Sequence, residues 1–133
     1  MYMIQGLDHV QVNAPRGHEA EARTFFGAFL RLPELTKPEI LQANGGVWFA
    51  LPDGRQIHTG VADAFVPSTK GHICLFCDDL DTVLARAEQF GVVCSLDTRV
   101  HLRRLYLSDP WGNRMEIVEG RHDSSPSWNT AGD

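Results

Sequence analysis

Four side chains of metal-binding type recur at matching places in the two halves of this sequence. They are His9, His58, His72 and Glu116. Imidazole nitrogen and carboxylate oxygen suit zinc, nickel, iron, cobalt or manganese, and affinity order alone does not choose among these metals. We therefore predict a divalent metal centre built from all four residues. Such a centre leaves one or two positions open for water or a substrate.

The match between the halves extends to the spacing of these residues. His9 and His72 each lie early in the first strand-like segment of a half. In the last such segment a glycine lies four residues before His58, and another lies four residues before Glu116. The two candidate ligands are 49 residues apart in the first half and 44 in the second. Two equivalent positions per half predict a shared site more strongly than four scattered residues would.

Strand periodicity places the candidate ligands on a common kind of surface. Successive residues of a strand point to opposite faces, so Val10 faces away from His9, and Met115 and Ile117 face away from Glu116. The apolar faces would pack on helices. The ligand faces would line a concave, partly polar cleft.

The elements that position these residues read as one unit present twice. In the first half, alternation predicts a strand over 7–13, and apolar residues at helical spacing predict a helix over 18–30. We predict a short strand over 39–43 and a hairpin of strands over 47–51 and 55–60, joined by a Pro-Asp-Gly turn.

The second half repeats this order. A strand over 71–77 precedes a helix that Asp78 or Asp79 would cap and that Gly91 would end. Strands follow over 92–97, 102–108 and 113–119. We therefore predict one α+β domain over 1–120, in which two tandem βαβββ modules (5–61 and 70–120) form a curved mixed sheet around a central cleft, with a flexible polar tail over 121–133.

Composition excludes several classes of function. The chain has 133 residues, 43% of them apolar, and a net charge of -5, whereas nucleic-acid binding needs a surplus of Lys and Arg. No segment approaches the roughly 20 apolar residues that span a bilayer, and the first residues do not resemble a signal peptide. We expect a cytoplasmic protein.

The three cysteines do not form a disulfide framework. Cys74 and Cys77 have the spacing of a metal-binding or redox pair, but they lie in a predicted strand. Residues three apart on a strand point to opposite faces, so we expect small core residues instead.

Three segments resemble the vicinal oxygen chelate superfamily: 7–10, 71–81 and 107–116, the last containing the run Asp-Pro-Trp-Gly-Asn-Arg-Met-Glu. This group includes glyoxalase I, fosfomycin-resistance and bleomycin-resistance proteins, extradiol dioxygenases and methylmalonyl-CoA epimerase. The resemblance covers about residues 5 to 119. It implies that His9, His72 and Glu116 occupy the three shared ligand positions and His58 the fourth. Glyoxalase I usually carries Glu at that fourth position and the epimerase Gln, so His58 departs from both.

The resemblance implies a metal-dependent, glyoxalase-like lyase or isomerase that chelates a small substrate through vicinal oxygens, with Glu116 as the proton acceptor. A non-haem iron dioxygenase and a drug-binding protein of the bleomycin-resistance type are the alternatives. Members commonly form homodimers, and sequence does not decide whether the modules pair within or between chains.

Several further residues have both a functional and a structural interpretation. An aromatic substrate wall or ordinary core packing would account for Trp48, Phe49 and Tyr106. An anionic-substrate site or ordinary exposed strand positions would account for Arg103, Arg104 and Arg114. His101 is a possible proton donor, whereas His18 and His122 lack a strand partner.

Overall fold

The computed structural model describes residues 1–99 and 102–120, so His101, His122 and the predicted tail over 121–133 lie outside the described residues. The elements follow one another in a repeated order. They are β1 (His9–Ala14), α1 (Glu19–Ala22) with a π-helical continuation (Arg23–Phe29), β2 (Glu34–Leu35), α2 (Glu39–Gln42), β3 (Trp48–Ala50), β4 (Gln56–Val61), β5 (Ile73–Cys77), α3 (Leu80–Phe90), β6 (Ser95–Asp97), β7 (Arg104–Ser108) and β8 (Arg114–Glu119).

The strands form two four-stranded mixed sheets of the same topology. The first sheet has the order β1-β4-β3-β2 and the second β5-β8-β7-β6. In each sheet the first strand pairs in parallel with the last, and the other pairs are antiparallel. The predicted α+β fold of two repeated modules is confirmed.

One predicted element is wrong. Residues 39–43 do not form a strand; Glu39–Gln42 form the short helix α2, and the second strand of the first module is Glu34–Leu35. Pro38 has an extended backbone just before the helix, and its carbonyl accepts a hydrogen bond from the Leu41 amide. Glu, Leu and Gln favour helix over strand. Ile40, the β-branched residue of this segment, is exposed and does not belong to a buried strand.

The helices begin and end largely where the sequence predicts. Asp79 caps α3 by accepting a hydrogen bond from the Asp81 amide, and Gly91 ends it in the left-handed conformation with φ of 67°. In the first module the predicted apolar face of the helix, including Ala22, Phe25, Phe26 and Phe29, is buried. Within the described ranges, no helix is long and apolar enough to cross a membrane.

The two modules pack through their helices. The Phe29 and Phe90 rings lie 5.7 Å apart, and the Arg86 guanidinium donates hydrogen bonds to the carbonyls of Ala28 and Phe29 at the end of the first helix. Apolar residues of these helices and of both sheets, among them Phe26, Ile57, Leu80 and Leu105, form one buried core. The opposite, polar faces are left free to carry a site.

The turn between β7 and β8 is a second connection between the modules. Asp109 accepts hydrogen bonds from the Trp111 and Asn113 amides and from the Asn113 side chain. The same Asn113 amide group donates to the carbonyl of Asn13, and its oxygen accepts from the Ser68 amide. The Asp-Pro-Trp-Gly-Asn run therefore has a structural role, because it joins β1 to the second module.

We predict that Asn113→Ala lowers the free energy of unfolding by about 2 kcal/mol, because it leaves buried hydrogen-bonding groups of Asp109, Ser68 and Asn13 without their partner. Urea denaturation measures the change. Asn44→Ala, at an exposed loop position, is the matched control and should change stability by less than about 0.5 kcal/mol. Equal effects of the two substitutions would contradict the role assigned to Asn113.

Candidate metal centre

The structure brings the four candidate ligands together as two pairs, one in each module. In the first module, His9 on β1 and His58 on β4 have ring centroids 4.3 Å apart. In the second, His72 directly precedes β5, and its Nε2 lies 3.2 Å from Oε1 of Glu116 on β8. The parallel pairing of the first and last strands is what places each pair side by side.

Among the described residues, the two pairs do not form a cluster of three or more ligand-type side chains. Across residues 1–99 and 102–120, no group of three or more His, Cys, Asp or Glu side chains is arranged to hold a metal ion. His9 and His72 do line a common cleft of about 670 Å³, together with Gln56 and Cys74. A single chain thus carries two half-sites.

In both half-sites, one histidine is oriented through its Nδ1 atom. Nδ1 of His9 lies 2.8 Å from the Asp8 carboxylate, and Nδ1 of His72 lies 3.0 Å from the Lys70 carbonyl oxygen. Both partners only accept, so Nδ1 carries the hydrogen and donates in each case. The Nε2 lone pair is then free, as in metal-bound histidines whose other nitrogen donates to a carboxylate or carbonyl.

Glu116 is held between two basic groups at a buried position. The residue is 7% exposed; Oε2 accepts a hydrogen bond of 2.9 Å from Arg104 Nη1, and Oε1 faces His72 Nε2. A carboxylate only accepts, so this contact needs either a second hydrogen on His72 Nε2 or a metal ion between the two atoms. Ligands about 2.1 Å from one ion stand about 3 Å apart, so this half-site fits a metal ion.

His58 is placed differently from the other three residues. Its ring lies between Trp48, at 3.9 Å and 2° between planes, and His9, at 4.3 Å and 18°. Its Nε2 lies 2.8 Å from the Gln56 side-chain oxygen. Burial lowers the pKa of His58, and the nearby His9 lowers it further, so the ring is neutral near pH 7.

Cys74 lies on the same face as Glu116, directly opposite it in the β5–β8 register. Burial, followed by the negative charge of Glu116, raises the pKa of this thiol to about 11. Cys74 is exposed rather than a core residue as predicted, whereas Cys77 and Cys94 pack against the core. The protonated Cys74 thiol is a poor metal ligand.

The other residues singled out in the sequence divide between structure and site. Arg103 pairs with Glu119 and Asp81 on the helix side of the sheet, so it is structural. Arg104 pairs with Glu116, and Arg114 lies over the Tyr106 ring at 4.8 Å. His18 is buried with both nitrogens hydrogen-bonded, to Pro15 and Thr59, and Phe49 is fully buried.

Sequence reasoning missed the groups that orient the ligands. Asp8 had a detectable signal, because a carboxylate next to a candidate ligand can hold its ring. The stacking of Trp48 on His58 follows from their direct pairing across β3 and β4, which needs the exact register. The Lys70 carbonyl has no signal in the sequence, because every residue carries one.

We predict that Arg104→Met lowers the free energy of unfolding by about 3 kcal/mol, because it leaves the buried Glu116 carboxylate without its guanidinium partner. Chemical denaturation measures it. The control is Arg16→Met, which breaks the exposed pair with Asp63 and should cost less than about 1 kcal/mol. A loss for Arg104→Met as small as the control's would show that this pair does not hold Glu116.

Comparisons with known proteins identify the family of this chain. Searches of protein-family models and of curated protein sequences gave no match. Solved structures do match. A lactoylglutathione lyase from Agrobacterium tumefaciens has 20% identity and a TM-score of 0.70, covering 90% of this chain and 96% of its own. The fosfomycin resistance protein FosX from Listeria monocytogenes, in a variant complexed with Mn(II) and 1S,2S-dihydroxypropylphosphonic acid, has 21% identity and a TM-score of 0.70, covering 90% and 93%.

A closer relative decides the family. A glyoxalase family protein from Bacillus anthracis is 38% identical to this chain, with a TM-score of 0.85, over 91% of this chain and 99% of its own. The likeness spans nearly the whole of both chains. The chain belongs to the glyoxalase family of the vicinal oxygen chelate superfamily.

Proposed function

We propose that this protein is a metal-dependent lyase or isomerase of glyoxalase type, acting on a small substrate that is chelated through vicinal oxygens. The observation that carries the proposal is the arrangement of His72 and Glu116, whose Nε2 and Oε1 atoms lie 3.2 Å apart, as two ligands of one ion would. His9, oriented by Asp8, is proposed as a further ligand. A divalent ion held there would supply Lewis-acid stabilisation of an enolate or oxyanion.

Glu116 is the proposed proton acceptor of the reaction. Its Oε2 is occupied by Arg104, which leaves Oε1 as the oxygen directed towards His72 and the open face of the sheet. A carboxylate held in one orientation beside the substrate can accept a proton from the carbon next to the chelating oxygens. Arg104 supplies the positive charge that pairs with Glu116 at this buried position.

We propose that a second copy of the chain completes the centre. His9 and His72 line one cleft, but in the part of the chain that the structure describes no three ligand-type side chains are arranged to hold an ion, and β1 and β5 are edge strands of their sheets. A two-fold axis would bring the first module of each chain to the second module of the other, so that two complete sites form. The homodimer and the cytoplasmic location inferred from the sequence belong to this proposal.

A dioxygenase is the second candidate, because two histidines and one carboxylate form the ligand set of non-haem iron enzymes. The Mn(II)-bound FosX relative supports divalent chemistry on this fold but does not select the reaction. Pure drug binding without catalysis is less well supported, since it needs neither the free His72 Nε2 nor its carboxylate partner.

We expect metal analysis of purified protein to find one divalent ion per chain, and none in His72→Ala or Glu116→Gln. When supplied with metal, the wild type should convert the hemithioacetal of methylglyoxal and glutathione to the thioester, measured by absorbance. Glu116→Gln should lose at least about 100-fold in rate, because it removes a proposed ligand together with the proposed general base. Full metal content in both variants would refute the centre, and catechol cleavage in place of thioester formation would favour the dioxygenase.

A mixing experiment tests where the site is completed. His9→Ala damages only the first half-site and Glu116→Gln only the second, so neither homodimer holds an intact centre. If sites form between chains, unfolding and refolding an equal mixture yields heterodimers with one intact site, and about a quarter of wild-type activity returns. Recovery near zero, with both variants folded, would mean that each site forms within one chain.

A further inference from the structure

The first half-site contains a stack of three flat rings. His58 on β4 lies between Trp48 on β3 and His9 on β1, with centroid distances of 3.9 and 4.3 Å. The planes of Trp48 and His58 differ by only 2°. His58 is buried at 5% exposure, whereas 44% of the His9 side chain is exposed. The stack therefore begins at the half-buried Trp48 ring, continues through the buried His58 ring and ends at the exposed His9 ring.

This stacking is incompatible with joint ligation of one ion by His9 and His58. An imidazole binds a metal in the plane of its ring, through the nitrogen lone pair. Two ring planes inclined by 18°, with centroids 4.3 Å apart, meet only about 13 Å from the rings, whereas a bound ion lies about 2 Å from each nitrogen. To ligate with His9, the His58 ring would have to rotate out from between its two neighbours.

The hydrogen bonds of the two histidines point to different roles. His9 donates from Nδ1 to Asp8 and keeps Nε2 free. His58 instead contacts the Gln56 side-chain oxygen through Nε2, the atom that would otherwise be free for an ion. The sequence-based prediction of four equivalent ligands does not distinguish these environments.

We propose that His58 is a positioning residue, whose ring supports the His9 imidazole from behind while His9, His72 and Glu116 alone hold the metal. This inference rests on the proposed function, because it concerns the same centre. Stacking and the Asp8 hydrogen bond together fix both the plane and the rotation of the His9 ring. A side chain on an open strand face would otherwise sample several rotamers.

The ligand count changes what the centre can accept. An octahedral ion with four protein ligands has two open positions, which a substrate chelating through two oxygens would fill. With three ligands, one position stays open beside the chelated substrate. The three-ligand centre therefore has room for a water molecule or a second reactant in addition to a vicinal-oxygen substrate.

The test separates the ring from its nitrogens. His58→Phe keeps a flat ring between Trp48 and His9 but removes both donor atoms, whereas His58→Ala removes the ring as well. We expect the Kd for Mn(II), measured by calorimetry, to stay within about threefold for His58→Phe and to weaken roughly tenfold for His58→Ala, because stacked contacts are individually modest. A loss of more than about 100-fold in a folded His58→Phe, beyond the usual effect of an orienting residue, would make His58 a ligand.

Two further measurements separate failure of this inference from failure of the proposed centre. Pulsed EPR of wild-type protein loaded with one equivalent of Cu(II) counts coordinated imidazoles, and needs no His58 variant to fold. Two imidazoles per ion are expected, and three would overturn the inference while leaving the centre intact. His72→Ala must lose Mn(II) binding; if it does not, or if the wild type binds none, the proposed function fails and this inference fails with it.

Discussion

In each module the first strand pairs in parallel with the last, and this pairing decides which side chains meet. Parallel strands cannot be joined by a tight turn and need a long crossover, which each module makes with a helix and two further strands. The crossover covers one face of each sheet with helix. The other face brings residues 44 to 49 positions apart in sequence to neighbouring strands, about 5 Å from each other.

The same frame produces different chemistry in the two modules. In the first, the rings of Trp48, His58 and His9 stack on each other, and the exposed Asp8 carboxylate holds the outer ring. In the second, Glu116 is buried between His72 and Arg104. Burying a carboxylate is costly unless it is paired, so the second module needs its guanidinium partner whether or not a metal is bound. The repeat thus conserves the backbone arrangement and not the interactions.

The sequence predicts the parts of this structure that depend on local periodicity. Strand parity places His9, His58 and Glu116 on one face of their sheets, and matched glycine spacing pairs His58 with Glu116 across the repeat; the structure has both. Periodicity carries no information on the distance between modules, which helix packing through Phe29 and Phe90 determines. Alternation along a strand also predicts the face of the sheet on which a side chain lies, but not the orientation of its ring. The stacking of His58 could therefore not be predicted. The strand predicted over 39–43 is wrong because a five-residue segment is too short to distinguish the helical period from the strand period.

The neutral ring at position 58 alters the charge of the proposed centre. Two carboxylates, as the resemblance implies for glyoxalase I, would cancel the charge of a divalent ion. Here position 58 is a histidine, so Glu116 is the only carboxylate of the four candidate ligands. Burial lowers the pKa of His58, which keeps the ring uncharged. Arg104, at 2.9 Å from Glu116, offsets even that charge. In the proposed centre, a divalent ion would keep a net positive charge, which would strengthen its attraction for the developing oxyanion of a chelated substrate. The histidine at position 58, in place of the Glu that the resemblance implies for glyoxalase I, would therefore favour substrates whose vicinal oxygens are already anionic.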